Sequence, residues 1–125
     1  MTKKIIQIVE DDGLIALHIA ETLENAGYQI AEPVNSGDMA LKALEKSPKP
    51  DLILMDVGLA GSIDGIETAR RIREHYDIPI LFLTAYSNLI KIEKVKNISS
   101  SNYLGKPYLE NDLLAAIKNC LHDEG

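Results

Sequence analysis

Apolar residues in this chain fall into two alternating patterns, short unbroken runs and longer stretches with helical spacing. Ile5-Ile6-Gln7-Ile8-Val9 is a first strand, ending at Glu10-Asp11-Asp12-Gly13. From residue 14, Ala16, Ile19, Ala20, Leu23 and Ala26 recur at helical spacing, and Gly27 supplies the stop. A weaker second strand is expected over Tyr28–Val34, interrupted by Pro33 as suits a position near a sheet edge. Ser36 caps a second helix reaching about Lys46, with Asp38 in its first turn. Pro50 and Gly58 bound the run Leu52-Ile53-Leu54-Met55, too short for a buried helix and so a strand covered on both faces.

The alternation continues to the end of the chain. After a loop over 57–63, Asp64-Gly65 opens a third helix with Ile66, Ala69, Ile72 and Tyr76 as its apolar stripe. Pro79–Leu83 is a fourth strand ending at Thr84-Ala85, and a polar helix follows over Asn88–Lys96. A short fifth strand near Asn102–Leu104 leads to Lys106-Pro107. Leu113, Leu114, Ala116, Ile117, Cys120 and Leu121 then mark the last helix. Strict βα alternation with short connections predicts one α/β domain over residues 1–125, a parallel sheet with helices on both faces and right-handed crossovers. Five such units favour the flavodoxin-like, doubly wound strand order 2-1-3-4-5, which brings the carboxyl ends of strands 1 and 3 together at the switch point.

Composition narrows the class. A chain of 125 residues with 46% apolar and 26% charged residues can bury its own core. A net charge of −6 argues against direct nucleic-acid binding, which needs a basic face. The single Cys120 cannot form an internal disulfide and reads as a small core residue in a reducing compartment. Met1-Thr2-Lys3-Lys4 runs straight into the first strand with no apolar leader and no membrane span follows, so a cytoplasmic location is expected.

The polar residues at the strand ends carry the chemistry. Strand 1 supplies Glu10, Asp11 and Asp12; strand 3 supplies Asp56; strand 4 supplies Thr84; strand 5 supplies Lys106. Each alone has an ordinary explanation: a strand-end aspartate, a helix cap, a surface lysine. Together they crowd one edge of one sheet. Carboxylates so placed raise each other's pKa unless a cation joins them, and an all-oxygen set suits Mg²⁺ or Mn²⁺. A lysine and a hydroxyl on the far side of Asp56 would cradle an anion, a combination that suits phosphoryl chemistry.

The ordered set Glu10-Asp11, Asp56, Asp64-Gly65, Thr84-Ala85 and Lys106-Pro107, with Tyr103 three residues before the lysine, closely resembles a response-regulator receiver domain. The resemblance runs from about Lys3 to about Leu121. It implies that Asp56 is the phosphoacceptor, taking a phosphoryl group from a histidine of a sensor kinase or phosphotransfer protein. It implies that Asp11, Asp56 and the Gly58 backbone carbonyl ligate Mg²⁺, with Glu10 acting through water and Asp12 outside the ligand set. Thr84 and Lys106 would bind the phosphoryl oxygens, and Tyr103 would swing inward as Thr84 moves. The face made by the fourth helix, fifth strand and fifth helix would then dock a partner or a second copy, with Lys91, Lys94 and Lys96 upon it. A cis Lys106–Pro107 bond is also implied.

Three departures stand out. The loop Val57-Gly58-Leu59-Ala60-Gly61-Ser62-Ile63 is one residue longer than the commonest family form, with Ala60 in place of a usual proline. The fourth helix lacks the usual exit glycine before Ser99-Ser100-Ser101, so its C-cap is expected on Asn97. Gly58 and Tyr86 occupy positions that in the family influence how fast the phosphoryl group is lost.

Rival classes are weaker. Phosphatases of the haloacid-dehalogenase type need a second aspartate two residues after the nucleophile, where this chain has Gly58. A flavin-nucleotide binder would place Glu10-Asp11-Asp12 against the cofactor's phosphate. A receiver retained only as an interaction module would not need Asp11, Asp56, Thr84 and Lys106 intact. After the fifth helix only His122-Asp123-Glu124-Gly125 remain, with no effector sequence in these 125 residues. Both a single-domain regulator and a receiver from a longer protein fit that reading.

Overall fold

In the computed structural model, which describes residues 3–85 and 88–121, every apolar run named above becomes a strand of one parallel sheet. The elements are β1 (Ile5–Val9), α1 (Gly13–Asn25), β2 (Gln29–Ile30), α2 (Gly37–Ala43), β3 (Leu52–Asp56), α3 (Gly65–Arg73), β4 (Ile80–Ala85), α4 (Leu89–Lys96), β5 (Ser101–Lys106) and α5 (Glu110–Leu121). The strand order is β2-β1-β3-β4-β5, as the alternation predicts.

The period-2 geometry of β3 divides the core. Ile53 and Met55 face one layer with Phe82, packed by Ala40 and Leu44 from the α2 region, Ile66, Ala69 and Ile72 of α3 and Val95 of α4. Leu52 and Leu54 face the other with Ile6, Ile8, Leu81 and Leu83, covered by Ala16, Ile19 and Leu23 of α1 and by Leu113 and Ile117 of α5. All five residues of β3 are buried, which is why that strand reads as an unbroken apolar run. The Val9↔Met55 and Asp56↔Leu83 pairs, with Thr84↔Gly105 and Ala85↔Lys106, level the carboxyl ends of the four longer strands. Every polar candidate therefore sits at one edge.

The helix starts follow local chemistry. Asp12 caps α1 by accepting from the Leu14 and Ile15 amides, and Ser36 caps α2 by accepting from Met39. Gly27, at φ 101°, takes the left-handed turn that ends α1. Asn97 is the C-cap of α4, as expected, and its side-chain amide donates to the Glu93 carbonyl at 3.3 Å. The left-handed residue falls three positions later, on Ser100 at φ 53°.

Four expected boundaries move. The second strand shrinks from Tyr28–Val34 to Gln29–Ile30 plus a single bridge at Val34, because Pro33 has no N–H to offer the ladder. The gap is held by the buried Gln7, whose side-chain amide donates to the Glu32 carbonyl at 2.9 Å. The α2 helix stops at Ala43 rather than Lys46: Leu44 is its C-cap, and the chain leaves through tighter turns in which the Glu45 and Lys46 amides donate to the Lys42 and Ala43 carbonyls. In α3 the helix stops at Arg73, so Tyr76 packs on the core from the following loop, its hydroxyl donating to the Leu44 carbonyl. The β5 strand is longer than expected because six residue pairs with β4 carry Ser101, Gly105 and Lys106 into the ladder. Cys120 is half-buried against the α1/α5 layer, in keeping with a core role. Among the described residues no helix is long and apolar enough to cross a membrane.

Candidate functional site

The end of β1 delivers three acidic residues to three different fates. Glu10 turns inward and is buried, Asp11 stays exposed, and Asp12 is consumed by the α1 cap. Asp56 closes β3 beside them, and carboxylate oxygens of Glu10, Asp11 and Asp56 lie within 4.8 Å of one another. Asp12 is not one of these three. Crowding has the expected electrostatic result. Burial first, then the hydrogen bond to Asp56 and its negative charge, push the Glu10 carboxyl up to about 7. Asp11 is held below the ordinary carboxylate range, chiefly because the Ala60 amide donates to its Oδ2 at 3.0 Å.

On the other side of Asp56 stands the one cation in contact with it among the described residues. The Lys106 ammonium is 3.3 Å from Asp56 Oδ1, and the same oxygen accepts from the Gly58 amide at 3.1 Å. Thr84 is buried on β4 and pairs across the β4–β5 ladder with Gly105, the residue before Lys106. Tyr103 lies further back on β5, paired with Phe82, and is half-buried against the α2/α3/α4 layer. The Lys106–Pro107 peptide is cis, as the resemblance implies, and so is Ser47–Pro48, which sequence reasoning did not foresee. Tyr86 lies outside the described residues.

The backbone around Asp56 leaves little room. A Cβ on Gly65 would sit 2.3 Å from the Asp56 carbonyl oxygen, so the start of α3 rests directly on the main chain of Asp56. A Cβ on Gly58 would meet Asp56 Oδ1 at an ordinary 3.8 Å, so a side chain there would face the carboxylate. Asp64 caps α3 through the Glu67 amide at 2.8 Å, and its second oxygen pairs with Lys91 of α4 at 3.0 Å. Lys91 is thus held against α3, while Lys94 and Lys96 remain exposed. Two groups escaped sequence reasoning. The Ala60 amide belongs to the backbone and carries no residue signature. Tyr108 follows Lys106 by two positions; burial, then the charges of Glu10 and Asp56, push its phenol up, which places it near the acidic group.

The donor set fits a small hard dication. Three carboxylates converge, each offering an oxygen, with no nitrogen or sulfur ligand among them.

Comparison with known proteins agrees with this geometry. The family model for the response regulator receiver domain matches residues 6–118. The transcriptional regulatory protein PdtaR of Mycobacterium tuberculosis is 36% identical over 113 residues, covering 90% of this chain and 54% of that protein. The chain spans about half the length of such curated relatives. Among solved structures, the N-terminal domain of a response regulator/sensory box/GGDEF three-domain protein from Carboxydothermus hydrogenoformans superposes with a TM-score of 0.85. It is 33% identical, with 95% of this chain and 94% of that chain covered. The chemotaxis response regulator CheY4 of Vibrio cholerae gives a TM-score of 0.86 at 28% identity, covering 96% of this chain and 100% of the other. The flavodoxin-like sheet, the acidic edge and these matches lead to one conclusion: the chain belongs to the response-regulator receiver-domain family, the signalling domains of two-component systems.

Proposed function

We propose that Asp56 accepts a phosphoryl group from a phosphohistidine on a sensor kinase or phosphotransfer protein, and that the resulting acyl phosphate switches the α4-β5-α5 face. The observation that carries this reading is the asymmetric surroundings of Asp56, with carboxylates on one side and Lys106 at 3.3 Å on the other. In the transfer an Asp56 oxygen attacks phosphorus in line with the departing histidine nitrogen. The P–N bond breaks as the new O–P bond forms, and the nitrogen retains the electron pair. Side-chain exposure of 12% leaves Asp56 reachable from outside while its backbone stays fixed in the core.

Asp11, Asp56 and the Gly58 carbonyl would hold Mg²⁺, with Mn²⁺ as a substitute and Glu10 acting through water, and the ion would neutralise charge on the phosphoryl oxygens. Lys106 then exchanges its contact with Asp56 for one with the new oxygens, and the Thr84 hydroxyl turns toward them. Movement of Thr84 frees space beneath the strand-4 loop, and Tyr103 is the large half-buried side chain one strand away that can fill it. The altered face docks a partner or a second copy of the chain. The domain catalyses only its own phosphorylation and dephosphorylation, binds no nucleic acid itself and works in the cytoplasm. Position 58 supports the exclusion of phosphatase turnover: a side chain there would face Asp56, and glycine supplies no acid.

The test is phosphoryl uptake from acetyl phosphate. Uptake should need Mg²⁺, vanish in Asp56→Asn and vanish in Asp11→Ala. Full uptake in excess chelator would refute the metal role.

A further inference from the structure

The two ends of α4 are fastened differently. At its exit Val95 and Ile98 are buried in the core, and the Ser101 hydroxyl is shared between their two carbonyls. The Arg73 guanidinium reaches over from the end of α3, its side chain 14% exposed. It donates to the Ser99 carbonyl at 2.9 Å and the Ser100 carbonyl at 3.4 Å, and to the Tyr76 carbonyl of its own exit loop at 2.8 Å. Ser100 stands at φ 53°, and its hydroxyl donates to Asp77 at 3.2 Å. A planar guanidinium offers its N–H groups in fixed directions. The exit that lacks its glycine is thereby clamped to α3.

The first turn is held more lightly. Ile90 is exposed there, and Asn88 caps the Lys91 amide at a long 3.4 Å. Lys91 pairs with Asp64 at 3.0 Å, its side chain 31% exposed, so solvent screens the pair. This turn is also the one joined to the site. The Asn88 amide donates at 3.0 Å to the carbonyl of Ala85, the residue after Thr84.

We infer that α4 pivots on the Arg73 clamp when the domain switches, and that the Lys91–Asp64 ion pair is the latch holding its first turn in the resting position. This deepens the reading of the α4-β5-α5 face as the switched surface and rests on it. Movement of Thr84 toward the site pulls on Ala85 and, through the Asn88 hydrogen bond, on the start of α4. The near end moves while the clamped end stays, so the helix turns about its exit. Opening the latch lowers the cost of the moved arrangement, and a ligand that favours that arrangement then binds more tightly.

The experiment titrates beryllofluoride, a mimic of a phosphoryl group on Asp56, into the full chain with Mg²⁺ and follows amide chemical shifts. The proteins are native, Lys91→Met and Arg73→Lys. In the native protein the α4 shifts should be largest over residues 88–93 and fall away over 95–101. Lys91→Met should lower the half-saturating concentration about twofold, the scale of a half-exposed ion pair. Mere loss of a cation near an anionic ligand would raise it instead. Arg73→Lys removes the fork and should carry the shifts on through 95–101. Shifts at residues 56–58 that saturate while 88–106 stay still would refute the switched face, and the latch with it. Shifts spread evenly along α4 in the native protein, or an unaltered profile in Arg73→Lys, would overturn the pivot alone. An unchanged or raised half-saturation in Lys91→Met would overturn the latch. Should Arg73→Lys not fold, Ser101→Ala loosens the same exit and is read by the same criterion.

Discussion

The two flanks of Asp56 are built from opposite materials. The β1 flank brings Glu10 and Asp11 within 4.8 Å of it, and burial, with Asp56 alongside, drives the Glu10 carboxyl to about 7. The β4–β5 flank brings a buried hydroxyl, Thr84, and one ammonium, Lys106, already in contact with the same aspartate. The first flank suits a cation and the second an anion. A strand end placed between them can take up both, which is what a metal-assisted phosphoryl acceptor requires. The sheet order produces this division, since β3 lies between β1 and β4.

Breaking each flank separately should give unequal results. Asp11→Ala is expected to abolish both Mg²⁺ binding and phosphoryl uptake. Lys106→Ala should leave Mg²⁺ binding in place and lower uptake by about 10²-fold, the scale for removing one positioned charge from a transition state. Mg²⁺ titration beside acetyl-phosphate uptake separates the two outcomes. Equal loss of metal binding in both variants would erase the distinction between the flanks.

The floor under Asp56 offers a second contrast. Gly65→Ala forces a methyl to within 2.3 Å of the Asp56 carbonyl oxygen, so α3 or β3 must shift. A loss of about 1–3 kcal/mol is expected in urea unfolding. Gly58→Ala adds its methyl in open contact at 3.8 Å and should change stability by less than about 0.5 kcal/mol.

Much of this was legible in the residues. The strand order, the strand-end set Glu10, Asp11, Asp56, Thr84 and Lys106, the Ser36 cap and the Asn97 exit all follow from period, punctuation and capping chemistry. These signals are local or repeat with the βα unit. What was hidden depends on distant partners. The Ala60 amide meets Asp11 across 49 positions, and Lys91 meets Asp64 across 27. Nothing near Lys91 in sequence distinguishes it from Lys94. The lengths of β2 and β5 were misjudged for a related reason. A strand's extent belongs to its neighbour as much as to itself: β5 gains residues from β4, and β2 loses them where Pro33 faces β1.

The acidic flank should also announce itself through pH. The folded pKa of Glu10, about 7, lies above its ordinary 4.5, so the folded chain holds that proton more tightly than the unfolded chain. The stability this provides is complete below about 4.5 and is lost as pH rises through about 7. Melting in chelator should therefore show stability falling across that window, with Mg²⁺ restoring it at the alkaline end. Glu10→Gln should flatten the slope; an unchanged slope in that variant would assign the effect to another group.

The smallest expected effect concerns the link from the site's floor to α4. Asp64→Ala removes the α3 cap and should cost about 1 kcal/mol, whereas Lys91→Ala removes a half-exposed ion pair and should cost about 0.5 kcal/mol or less. A double-mutant cycle measures their coupling. A coupling of zero would mean that the 3.0 Å contact does not tie α3 to α4 in solution.

The central claim is that Asp56, and no neighbouring carboxylate, forms the acyl phosphate. Treating the phosphorylated chain with borohydride reduces an acyl phosphate to an alcohol, and mass spectrometry of the peptides locates it. The account predicts reduction at Asp56 alone, with Glu10, Asp11 and Asp12 unmodified. Reduction at Asp11 or Glu10 in the native protein, with Asp56 intact, would contradict it.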